Sequence, residues 1–161
     1  MSDTASPAMA NDGARDGALG ALLAKLNGIP DGLIALLARI GIAGIFFKSG
    51  LTKVMWDGGP AFSDSVQYLF EEEYALPLLP WDVAAVLAAS AELLLPPLLI
   101  LGLATRLSAL ALLGMTVVIQ VFVYPNLWDT HATWAAALVF LIARGAGPWS
   151  LDHLIARARG A

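Results

Sequence analysis

The chain alternates between long apolar runs and polar or turn-forming segments, and the runs predict helices that cross a bilayer. A crossing helix needs about 20 apolar residues. The runs fall at residues 32–56, 81–103, 107–124 and 131–143, the last being short and open to an earlier start. The second and third are joined through "GLATR", and the third and fourth through "YPNLWDT". Such short connections make consecutive helices antiparallel neighbours. The expected fold class is all-α: a transmembrane four-helix up-down-up-down bundle. In the longer first loop, Phe62, Val66, Leu69 and Phe70 recur at helical spacing. They predict an amphipathic helix lying on the outer surface.

Composition agrees with the membrane reading. Of the 161 residues, 58% are hydrophobic and 14% charged, where a soluble domain carries about 25% charged residues. Cysteine is absent, which removes disulfides, thiolate metal sites and cysteine nucleophiles together. Any redox chemistry must then come from a bound cofactor or a partner. No phosphate-binding loop, dinucleotide fingerprint, HExxH motif or catalytic triad is visible, and no metal site is expected. No basic stripe supports nucleic-acid binding.

Three regions follow. Residues 1–28 form a disordered or interfacial tail: residues 1–20 are rich in Ala, Gly, Ser and Asp, and "ALLAKLNG" suits a short helix on the inner surface. Residues 29–147 are the transmembrane domain, whose first span directs insertion because the opening residues have no apolar signal-peptide core. Residues 148–161 form an amphipathic cytoplasmic tail, with Ser150 as the expected N-cap of "WSLDHLIARAR".

Basic residues set the orientation. Arg15, Lys25, Arg106, Arg144, Arg157 and Arg159 mark one side, whereas the 57–80 loop has no basic residue and carries Asp64, Glu71, Glu72 and Glu73. A multi-pass protein of the bacterial inner membrane is expected, with both termini cytoplasmic. Trp56, Trp81, Tyr124 and Trp128 would form the outer aromatic belt. "EEE" reads as a solvated face and His153 as a surface residue.

Charge inside the spans is the candidate chemistry. Glu92 lies near the midplane of the second span, and an ionised group there costs roughly 2.5–3.5 kcal/mol unless it finds a partner. Arg39 is the first-choice partner, and Lys48, pointing almost opposite to it, the second. Lys53 belongs near the outer interface and shares a helix face with Arg39, Phe46 and Gly50. Pro96 and Pro97 lack N–H groups, so the carbonyls of Glu92 and Leu93 lose their helical donors and look to Arg39, water or a ligand. Two readings stay open: a structural ion pair in a kinked helix, or a ligand-lined pocket at the kink. Gln120 suits an interhelical hydrogen bond, and His131 an interfacial position or a quinone or metal contact. Small residues from Ala84 to Ala91, with Gly41 and Gly44, suggest where the first two helices touch.

Three segments carry a resemblance: "ARIGIAGIFFKSGLTKV", "AELLLPPLLILGLATRLSAL" and "GAGPWSLDHL". In order and spacing the chain resembles the DoxX family of small bacterial four-helix membrane proteins. By position, the family's polar marks fall on Arg39, Gly50, Lys53, Glu92, Gly102 and Arg106, with "SLD" at Ser150–Asp152. The chain departs at Leu95, Pro96 and Pro97, where the family usually has glycines. The resemblance implies an accessory subunit of a membrane redox system, with quinone as the candidate cofactor. The bilayer and a redox or metal-handling protein are the implied partners, and a homo-oligomer is compatible. The competing class is a non-enzymatic transporter or scaffold for a small solute or a metal-stress pathway.

Overall fold

The computed structural model describes residues 17, 19–55, 61–77 and 79–160. The expectations for residues 1–16, for Arg15 among them, and for Trp56 lie outside the described residues. The N-terminal unit contains a helix over residues 19–27 that closes with bonds from Gly28 N to Lys25 O and from Ile29 N to Leu26 O, both 3.2 Å.

Among the described residues, the second unit consists of helices and connecting turns with one two-residue ladder. Its elements are α1 (Asp31–Lys53), β1 (Val54–Met55), β2 (Ala61–Phe62), α2 (Asp64–Tyr68) running on into a π-helical turn (Leu69–Glu73), α3 (Trp81–Leu101), α4 (Thr105–Val118) with a second π-helical turn (Ile119–Val123), α5 (Trp128–Arg144) and α6 (Leu151–Ala158). Among the described residues, three helices, Asp31–Lys53, Trp81–Leu101 and Thr105–Val123, are long and apolar enough to cross a membrane. α5, with 17 residues, is shorter.

Local chemistry explains the ends. Asp31 in the first turn and Lys53 in the last complement the dipole of α1. Gly102, at φ +67°, terminates α3. Its N–H reaches Leu99 O and the N–H of Leu103 reaches Leu98 O, the paired bonds of a left-handed helix stop. The next helix has no cap of its own. Asp152 supplies one from the far end of the chain, its carboxylate accepting from Ala104 N at 2.8 Å and Thr105 N at 2.9 Å. Ser150 caps α6 as the sequence suggests, accepting from His153 N.

α1 packs on α3 and α5, and α4 packs on the same two helices. Their shared core includes Ala35, Ile42, Phe46, Leu99, Leu112, Leu138 and Leu141. Facing outward are Leu37, Leu94 and Leu107, between 62% and 72% exposed. An apolar exterior around an apolar core is the signature of a chain whose solvent is lipid.

Two expectations need correction. The first concerns the close approach of α1 and α3. At Gly41 and Gly44 an added Cβ would meet nothing within 4 Å, so neither marks a contact; at Gly50 it would lie 2.9 Å from Glu92 Cβ. The face that carries Arg39, Phe46, Gly50 and Lys53 is the buried one, and the 41/44 face is not. The second concerns the loop helix. Val66 and Phe70 are buried against Ala84 and Ala85 of α3, so its apolar face covers protein; Phe62 stays exposed.

Candidate functional site

The fold brings three of the six singled-out polar residues, Lys53, Glu92 and His131, to one cavity, with Gln120 behind His131. The cavity has a volume of about 540 Å³ and lies near the end of the helices where Phe70, Tyr74 and Leu76 pack. Its walls are mostly aliphatic and aromatic, with Lys53, Glu92 and His131 among the lining side chains.

Glu92 pairs with Lys53. Nζ stands 2.6 Å from Oε2, and both side chains are about 5% exposed. Ser49 closes the triangle: its hydroxyl donates to Glu92 Oε1 at 3.1 Å and accepts from Lys53 Nζ at 3.0 Å. Ser49 and Lys53 are four residues apart, hence on one face of α1. A buried charge pair of this kind is tolerated because each ion also has a hydrogen-bonding neighbour. Gly50, in the turn between them, lets α1 lie so close to α3 that an added Cβ would stand only 3.1 Å from the carbonyl carbon of Glu92. Gly50→Ala should therefore force the helices apart and cost about 1–3 kcal/mol. Thermal melts in detergent check this, and wild-type stability would rule out the tight contact.

His131 forms a second polar group. It is 3% exposed, and its Nδ1 lies 2.6 Å from Gln120 Oε1. The Gln120 amide is oriented by its own bond from Nε2 to Pro125 O at 2.8 Å. The amide oxygen is therefore the acceptor and His131 Nδ1 the donor, which leaves Nε2 as an acceptor in the neutral ring. Trp134 packs edge-on against both His131 and Phe46, with centroids 5.1 and 5.5 Å away. This fulfils the interhelical bond expected of Gln120.

Tyr74 and Tyr124 also line the cavity and meet edge-on, their centroids 5.9 Å apart. Tyr124 donates to Glu73 Oε1. That bond pushes the Tyr124 phenol well above its ordinary value. Burial first, and the neighbouring carboxylates after it, raise Tyr74. Both phenols thus remain protonated donors at neutral pH.

Arg39 and Lys48 are elsewhere. Arg39 is not the partner of Glu92. It is 2% exposed, and its guanidinium donates to four carbonyls: Leu99 at 2.7 Å, Ile100 at 2.6 Å, Ala146 at 2.8 Å and Trp149 at 2.9 Å. The physical reason is register. The 14 residues from Arg39 to Lys53 rise about 21 Å, and it is the Lys53 end of α1 that meets Glu92. Two of the carbonyls Arg39 satisfies, Leu99 and Ile100, lie in the last turn of α3, and the other two lie between α5 and α6; none is a carbonyl freed at Pro96 or Pro97. Lys48 is exposed on the opposite face. Ser49 and Tyr74 are not among the residues singled out from the sequence; the four-residue spacing to Lys53 is the available signal for Ser49.

The model of the DoxX family matches residues 34–125, a stretch holding Arg39, Gly50, Lys53 and Glu92. The chain belongs to the DoxX family. An uncharacterized protein of Haemophilus influenzae is 35% identical over 144 residues, covering 81% of this chain and 89% of that protein. No solved structure matches. Two of the positions marked by the DoxX resemblance, Lys53 and Glu92, form the buried pair, and two more, Arg39 and Gly102, meet where α3 ends. Asp152 of the "SLD" segment caps α4.

Proposed function

We propose that this DoxX protein is an accessory subunit of a membrane redox system, and that its cavity receives the head of a quinone. The observation that carries this reading is the lining. An apolar chamber large enough for a ring and the start of a tail holds two separate polar groups, the Lys53–Glu92 pair and His131. Pockets of this composition hold amphiphiles, with a few polar groups fixing the head. A quinone, when bound, accepts two electrons and two protons. Lys53, the phenols of Tyr74 and Tyr124, and the acceptor nitrogen of His131 provide the hydrogen-bonding groups that a carbonyl- and hydroxyl-bearing ring requires. The chain has no cysteine, and in this reading a partner protein supplies the electrons.

In this reading four helices cross the bacterial inner membrane up-down-up-down. The cavity faces the outer half and both termini face the cytoplasm, where Arg106, Arg144, Arg157 and Arg159 gather. Reporters fused after Ala161 and near Asp64 should register opposite compartments; matching compartments would sink the four-span topology.

Gentle purification should retain quinone with the wild-type protein, and His131→Phe should reduce the retained amount several-fold without unfolding the chain. Extraction of the purified protein, followed by chromatography of the lipid phase, measures both. Quinone-free protein that moves protons or metal ions across liposomes would replace this reading with the transporter class.

A further inference from the structure

A second cleft, of about 590 Å³, lies at the opposite end, where the start of α4 meets the end of α5 and α6 forms the other wall. Arg106 and Arg144 both line it. Arg106 lies against Gly145, within 3.6 Å of where a Cβ would stand, and makes one long bond to Ala143 O at 3.4 Å. Arg144 reaches Asp31 at 3.6 Å, with both side chains more than 60% exposed. Such a pair is screened by water and holds the guanidinium loosely. His153 lines the same cleft. The acid lining it, Asp152, has each carboxylate oxygen committed to a backbone N–H of the α4 start. Beside it, the hydroxyl of Thr105 is buried and, among the described residues, is a side-chain polar atom with no hydrogen-bond partner. Two loosely held cations and an unanswered hydroxyl thus converge on the first turn of a 14-residue helix, whose dipole favours negative charge.

The surroundings indicate the kind of anion. Asp152 and Ala156 are the partly covered residues of α6, while Leu151, Leu154 and Ile155 are exposed on another face and Trp149, just before them, is 57% exposed. Arg157 lies on the polar flank. This is the pattern of a helix lying in a membrane interface. Leu107, next to Arg106, is 72% exposed and begins the apolar surface of α4. A free phosphate would use the cations and ignore the apolar rim. A lipid with a phosphate head uses both, and basic pockets at the ends of membrane helices hold such heads.

We propose that this cleft binds the phosphate of an anionic phospholipid between Arg106 and Arg144, with α6 lying in the same leaflet. The proposal rests on the bilayer-crossing reading and is independent of the quinone. The test is the melting temperature of the full chain in detergent, titrated with phosphatidylglycerol, phosphatidylcholine or inorganic phosphate. Phosphatidylglycerol should raise it saturably, and the other two should not. The Arg106→Gln/Arg144→Gln double variant should raise the half-saturating phosphatidylglycerol concentration about tenfold or more. Lys48→Gln, which removes an exposed cation elsewhere, should leave it unchanged. Arg106→Lys keeps a charge at the rim and should lie between, which separates loss of the site from loss of the fold. An unaltered response in the double variant, or an equal response to phosphatidylcholine, overturns the site. An equal shift with inorganic phosphate makes it a free-anion site and overturns the lipid. Failure here with quinone still retained by the protein would leave the cavity reading standing.

Discussion

Arg39→Gln should leave little folded protein in the membrane. The wild-type guanidinium is the shared donor for four carbonyls from two segments, 60 to 110 residues away in sequence. Hydrogen bonds to a charged group are worth about 1.5–3 kcal/mol each, and buried acceptors left open add their own desolvation cost. A loss of about 4 kcal/mol or more is expected, out of the 5–15 kcal/mol typical of a folded domain. Arg39→Lys should recover little, because an ammonium cannot span the same fork of acceptors. The measurement is the fraction of extracted protein that remains monodisperse, with its melting temperature. Near-wild-type melting of Arg39→Gln would show that water replaces the guanidinium and that the clamp contributes nothing.

Next in size is the pair at the other end. Lys53→Gln and Glu92→Gln should each cost about 3–5 kcal/mol, since each leaves one ion buried without its partner. The double variant should lose less than the sum. Arg39→Gln and Glu92→Gln, by contrast, should add within about 0.5 kcal/mol, as distant sites do. A four-protein cycle for each combination settles the partnership. Coupling of Glu92 to Arg39, with none to Lys53, would overturn the assignment. If the rescued Lys53/Glu92 double variant keeps its stability but no longer retains quinone, the pair serves the cavity as well as the fold.

Much of this was readable from the residues. Helix ends fell where Gly102, the "YPNLWDT" turn and Ser150 placed them, because each is a local chemical signal. The buried face of α1 was legible in the spacing of Arg39, Phe46, Gly50 and Lys53, as was the place of Lys48 on the opposite face, though not its lack of a role beside Glu92. What could not be read was register. Depth counted along a span says nothing of how far one helix slides past another, and the slide decides whether Glu92 meets Arg39 or Lys53. Backbone acceptors are equally silent: every residue owns a carbonyl, so no pattern singled out Leu99, Ile100, Ala146 and Trp149 as the partners of Arg39. The same holds for Asp152, whose role depends on a loop 47 residues earlier.

The clamp also has a timetable. Arg39 is made early, and two of its acceptors, Ala146 and Trp149, are made 107 and 110 residues later. At about 5–20 residues per second, the ribosome delivers them roughly 5–20 s after the arginine. During that interval the first helix carries a guanidinium whose final seat does not yet exist, and it must be housed by the insertion machinery, by lipid phosphates or by water. Closure of the clamp therefore waits for the connection between α5 and α6, and an early helix inserted alone is an intermediate that the cell must shelter.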